Sequence, residues 1–97
     1  MGKEVFDANC ALCHGPDVMG TGTGPPLIDR IYEPGHHSDV TIRSAVRNGV
    51  PQHHWWFGDM PPVAGVSDAA VENLICYIRE LQLANGIFDE GTYSFSC

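Results

Sequence analysis

A chain of 97 residues, 43% of them hydrophobic, has material for one small core, and domains of this size often depend on a metal, a disulfide or a cofactor for stability. Twelve acidic against five basic residues give a formal net charge of −7; Lys3, Arg30, Arg43, Arg47 and Arg79 are scattered, with no basic stripe to follow a phosphate backbone, which argues against nucleic-acid binding. No apolar run approaches the roughly 18 to 20 residues that span a bilayer.

The first predicted helix runs from about Lys3 to Cys13, with Val5 and Phe6 as its main apolar residues and Glu4 and Asp7 early, where a helix favours negative charge. A Gly/Pro-rich loop follows, Gly15–His37. The second helix begins at Ser38, a good N-cap, and carries Ile42, Ala45 and Val46 at i, i+3, i+4 spacing. Gly49 beyond it suits a left-handed cap. After a second such loop, Val50–Val66, Ser67 caps the third helix, in which Val71, Leu74, Ile75, Ile78 and Leu81 repeat on one face. Asn85-Gly86 closes it. Cys76 falls on the other side with Glu72, Asn73, Arg79, Glu80 and Leu83, away from the expected core. A tail from Ile87 to Cys97 shows no periodicity. The expectation is an all-α single domain over 1–97, with a core from about 3 to 85 and an extension from 86 to 97. Loops this long would argue against it, unless they pack on a cofactor.

Cys10-Ala11-Leu12-Cys13-His14 is a C-x-x-C-H sequence, the attachment signature of c-type haem. Residues three and four apart share a helix face, so both thiols can add to the two vinyl groups at one haem edge while His14 reaches the iron. Two alternatives compete. One is half of a zinc site, but Cys76 and Cys97 form no second close knuckle. The other is a thioredoxin-like redox pair, which normally sits beside a βαβ pattern absent here. Met60, in Gly58-Asp59-Met60-Pro61-Pro62, is the candidate for the second axial ligand, since Met/His ligation raises a haem's reduction potential. Its rivals are His53, His54, His36, His37 and Met19; as a loop residue Met60 could also merely fill a gap. Haem attachment of this kind takes place outside the cytoplasm. Met1-Gly2-Lys3-Glu4 leads straight into the first helix, so the expectation is a mature or recombinant chain lacking its export signal, or a domain of a larger protein, located in the periplasm or otherwise exported.

These residues resemble the class I monohaem cytochromes c, and more closely their short bacterial members and the cytochrome c domains attached to dehydrogenases and oxidases. The resemblance covers roughly Lys3 to Leu83 and rests on Cys10–His14, Gly24-Pro25-Pro26-Leu27, the middle helix, Met60-Pro61 and the last helix. It implies that Pro25 offers its carbonyl to the His14 imidazole, a bond that fixes the tautomer and strengthens the ligand. It also implies that Leu27 packs on the haem and that Phe6 meets Tyr77 where the first and last helices cross. It implies further that Trp55, Trp56 and Phe57 form an aromatic wall before the axial Met, with one indole N–H directed to a haem propionate, against the alternative that either Trp is an exposed contact residue. The His-His-Trp-Trp-Phe run and the tail after Gly86 depart from the family pattern. For the tail, the expectation is a Cys76–Cys97 disulfide tying it over the outer side of the last helix, against a free Cys76 and a Cys97 used in dimerisation.

The implied function is a soluble, monomeric one-electron carrier, not an enzyme, working between redox proteins such as a dehydrogenase, an oxidase or another cytochrome. The acidic surface implies a basic docking patch on a partner. The alternative is a haem sensor or small catalytic haem domain with an open or His-ligated sixth position.

Overall fold

The computed structural model describes residues 2–35, 37–51, 58–89 and 91. In chain order these form α1 (Gly2–Asn9), α2 (Ala11–His14), a short 3-10 turn (Arg30–Tyr32), α3 (Asp39–Asn48) and α4 (Asp68–Ala84). Among the described residues no strand forms; a lone antiparallel bridge joins Val50 to Met60. The fold is all-α, as expected.

The first predicted helix divides in two at Cys10, whose φ of −122° lies outside the helical range. Helical hydrogen bonds still bracket the break: Cys10 N–H donates to the Phe6 carbonyl at 2.7 Å, and His14 N–H to the Cys10 carbonyl at 2.9 Å. Between them the ladder tightens, Cys13 N–H donating to the Cys10 carbonyl at 3.1 Å, three residues back. Ser67 caps α4 as its position predicts, its hydroxyl accepting from Ala70 N–H at 3.1 Å. Ser38 precedes α3 but its hydroxyl pairs with the Thr41 hydroxyl at 3.0 Å instead.

The core forms where α1 crosses α4. Phe6 is completely enclosed, with Val46, Val66, Val71, Leu74, Ile75 and Ile78 buried around it. Burying each such side chain contributes about 1.5–3 kcal/mol. The Phe6 and Tyr77 rings meet at 5.7 Å between centroids, tilted by 53°. At the crossing, a Cβ on Gly2 would run into the Asn73 carbonyl and lie 2.7 Å from Tyr77 Cβ. Only a residue without a side chain lets the helices approach so closely.

Two arginines clamp α3 to α4. Arg43 donates to both carboxylate oxygens of Glu72 at 2.6 Å. Arg47 donates at 2.6 Å to the Val66 carbonyl and to Asp68 Oδ1. Exposed ion pairs add little stability each; here they fix the register of two helices.

The outer side of α4 differs from the expectation. Cys76 and Arg79, expected to face solvent, are buried, Arg79 completely, as is Gln82 on the apolar face beside them. The segment from Leu27 to His37 lies over this side of the helix and brings backbone carbonyls that need donors once water is excluded. Arg79 supplies them to Tyr32 (2.6 Å) and His37, and Gln82 supplies them to Leu27 (2.9 Å) and Tyr32 (3.0 Å). Beyond α4 the chain turns back: Ile87 N–H donates to the Gln82 carbonyl at 2.9 Å, and Phe88 is buried. Cys97 lies outside the described residues, and so does the expected Cys76–Cys97 pairing.

Candidate cofactor site

A cleft of about 970 Å³, part of it open to solvent, lies between α1, α3, α4 and the two long loops. Its walls are mainly apolar, and among the described residues no Asp, Glu, Lys or Arg lines it. Cys10, His14, Pro25, Leu27 and Met60 all reach it. The chain thus gathers into one space five residues spread over half its length.

Each of them is held there by backbone geometry. The break at Cys10 carries the C-x-x-C-H segment round to the cleft. His14 is buried, and its Nδ1 lies 2.8 Å from the Pro25 carbonyl oxygen. A carbonyl only accepts, so Nδ1 carries the proton and Nε2 is the lone-pair donor. Burial holds the imidazole below its ordinary pKa, opposed in part by the Pro25 hydrogen bond. The ring is therefore neutral at pH 7, the state a metal ligand requires.

Leu27 is brought in by a hairpin-like fold of the first loop. Gly20 N–H donates to the His14 carbonyl at 2.7 Å and Leu27 N–H to the Val18 carbonyl at 3.0 Å. Val18 is fully buried at a φ of 65°, a conformation that costs a β-branched residue about 1–3 kcal/mol. The Thr21 hydroxyl donates to the Cys13 carbonyl and ties the same loop to α2.

Met60 is fixed by Val50. Val50 N–H donates to the Met60 carbonyl at 2.9 Å, and Met60 N–H to the Val50 carbonyl at 2.7 Å. Val63 N–H then donates to the Val46 carbonyl at 2.8 Å, fastening the loop beyond it to α3.

Burial raises the Cys10 thiol to a pKa of about 11, with Cys13 adding to the shift. Such a thiol is protonated at neutral pH. Cys13 is half-buried and does not line the cleft itself. Of the rival ligands, Met19 is exposed and away from the cleft. His37 lines it, with Nδ1 hydrogen-bonded to the Ile31 carbonyl and its ring 4.9 Å from that of Tyr32. His36, His53, His54, Trp55, Trp56 and Phe57 lie outside the described residues.

Sequence reasoning missed the polar positions in the walls, namely Tyr32, Thr41 and Gln82. Gln82 had a signal: it stands four residues after Ile78 and so shares the apolar face of α4.

This donor set fits the cofactor that the C-x-x-C-H sequence implies. An apolar cleft receives a flat macrocycle, a neutral imidazole of fixed tautomer and a thioether line the same space, and Cys10 stands at its edge. The family match agrees. The sequence model of cytochrome c matches residues 1–82. The cbb3-type cytochrome c oxidase subunit FixPc of Rhizobium leguminosarum bv. viciae is 36% identical over 83 residues, 82% of this chain and 26% of the relative. Subunit CcoP of Rubrivivax gelatinosus is 31% identical over 83 residues, 84% of this chain and 25% of the relative. The chain thus spans about a quarter of the length of these oxidase subunits. Cytochrome c-554(547) of Halothiobacillus neapolitanus is 31% identical over 86 residues, 84% of this chain and 93% of the relative. No solved structure matches at comparable significance. With a family match over most of its residues and a relative aligned along nearly its whole length, the chain belongs to the cytochrome c family.

Proposed function

We propose that the protein is a one-electron carrier holding one haem c through thioether bonds from Cys10 and Cys13, with His14 and Met60 as axial ligands. Haem c is the cofactor of this family and, when bound, supplies an Fe(III)/Fe(II) couple. The observation that carries the reading is the placement of His14, tied to Pro25, and Met60, tied to Val50, on the same apolar cleft. His14 and Met60 would together hold the iron, which would leave no position open for a substrate. Pro25 holds the imidazole in orientation and makes it a better donor. Leu27 excludes water from the same wall. Trp55 and Trp56 complete the pocket in this reading, one of them donating its indole N–H to a propionate.

The partners in this reading are redox proteins. Support comes from the likeness to cytochrome c-554(547) and to subunits of cbb3-type oxidases. The net charge of −7 favours a basic docking patch on the partner and brief encounters of small area. Among the described residues no helix is long and apolar enough to cross a membrane, and the reading is of a monomer acting in the periplasm or an equivalent exported compartment. That compartment also favours a Cys76–Cys97 bridge; reduction would then add the mass of two hydrogens.

The test is a mass spectrum, under denaturing conditions, of protein matured in a host able to attach haem. One haem mass per chain is expected; the bare polypeptide would overturn the reading. A near-infrared sulfur-to-ferric-iron band and slow CO binding are expected for Met60 ligation. Rapid CO binding to the reduced protein would replace the carrier with a gas-binding domain.

A further inference from the structure

We propose that Arg79 is a positioning residue that both builds one wall of the cofactor cleft and raises the cofactor's reduction potential, an inference that rests on the haem-carrier reading above. The guanidinium is completely enclosed. Nη1 donates to the Tyr32 carbonyl at 2.6 Å, Nη2 to the His37 carbonyl, and Nε to Asp39 Oδ1 at 3.0 Å. Nη1 also donates at 2.7 Å to Gln82 Oε1, and Gln82 in turn donates to the Leu27 and Tyr32 carbonyls. Leu27, Tyr32, His37 and Gln82 all line the cleft. One side chain therefore sets where four of the lining residues stand.

The charge matters as well as the bonds. Arginine stays protonated at any working pH. Its counter-charge, Asp39, has a side chain 25% exposed while that of Arg79 is 0% exposed. Water screens the carboxylate more than the guanidinium, so the pair leaves a positive field behind a wall in which, among the described residues, no Asp, Glu, Lys or Arg stands. On reduction the cofactor accepts one electron from a donor protein and Fe(III) becomes Fe(II). No bond is made or broken, no proton moves, and the charge of the iron centre falls by one. A fixed cation nearby favours that reduced state.

The test is a redox titration of the mature holoprotein and three variants, followed through the visible haem bands. Arg79→Met should favour the oxidised form by about tenfold, a fall of about 59 mV for one electron. Asp39→Asn should move the potential the other way, by about threefold, because it removes the opposing charge and keeps the guanidinium with its carbonyl partners. Arg79→Lys keeps the charge but lacks the planar fork, and should stay within about threefold of the wild type while losing stability. A merely structural role moves all three variants the same way, since each loosens the same segment. Should Arg79→Met fail to accumulate, Asp39→Asn decides: a potential at or below that of the wild type overturns the proposal. A drop for Arg79→Lys as deep as that for Arg79→Met also overturns it. A wild-type protein with no haem band, or with no one-electron titration, overturns the carrier reading instead.

Discussion

Gly49 sits directly against the carbonyl of Met60. The glycine ends α3 at a φ of 77°, and a Cβ there would run into that carbonyl oxygen and come within 3.0 Å of Pro62 Cδ. Its neighbour Val50 meanwhile bonds Met60 in both directions. The end of α3 therefore positions the proposed axial ligand.

Gly49→Ala should accordingly strain both the backbone and the contact. The expected loss exceeds about 1 kcal/mol in a denaturant titration of the holoprotein, together with a weaker near-infrared sulfur-to-iron band. An alanine variant matching the wild type in both measurements would show that the Met60 loop shifts freely, contrary to the bridge.

Met60→Ala removes the thioether. The reduction potential should fall, on the order of 100 mV within the roughly 0.8 V range that axial ligands command, and the near-infrared band should vanish. An unchanged potential would give the ligand role to another residue.

Phe6→Ala opens the centre of the α1–α4 crossing. A fully buried aromatic replaced by alanine should cost about 3–5 kcal/mol, read as a lower guanidinium midpoint for the holoprotein. A cost under 1 kcal/mol would mean that the helices close over the gap.

The Arg43–Glu72 pair carries a pH signature. Hydrogen bonding and charge from Arg43 hold the Glu72 carboxyl below its ordinary pKa. Because the folded value lies below the unfolded one, the stabilisation is present above about pH 4.3 and is lost as pH falls through the folded value. Both side chains are substantially exposed, so the contribution is at most about 1 kcal/mol. Glu72→Gln should be less stable than the wild type by up to that amount at pH 7. The two should converge on acidification; a gap that persists in strong acid would assign the loss to packing instead.

Much of the fold was legible in the sequence. Apolar periodicity placed α3 and α4 to within a residue, because Ser38, Ser67, Gly49 and Gly86 mark ends that backbone chemistry enforces. The division at Cys10 was not legible, since no glycine or proline marks it. The larger miss was the side of α4 bearing Cys76 and Arg79. Periodicity assigns a charged residue to solvent, yet Arg79 stands four after Ile75 and eight after Val71, at the border of the apolar face. What keeps it inside is a set of backbone carbonyls from a distant loop, and no local pattern encodes these. In the site, the C-x-x-C-H helix turn and Met60 were visible as motifs. The way Val18 and Val50 deliver Leu27 and Met60 to the cleft was not, because both depend on hydrogen bonds between backbones.

The crossing of α1 and α4 joins the two ends of the described chain, and this has a bearing on biogenesis. Contacts between segments so far apart in sequence cannot form until the second of them has been synthesised. Phe6 lacks its partners until α4 exists, whereas Cys10–His14 is complete as soon as the opening segment has been made. Maturation enzymes would thus meet an unencumbered attachment sequence first, with the last helix closing over the finished product.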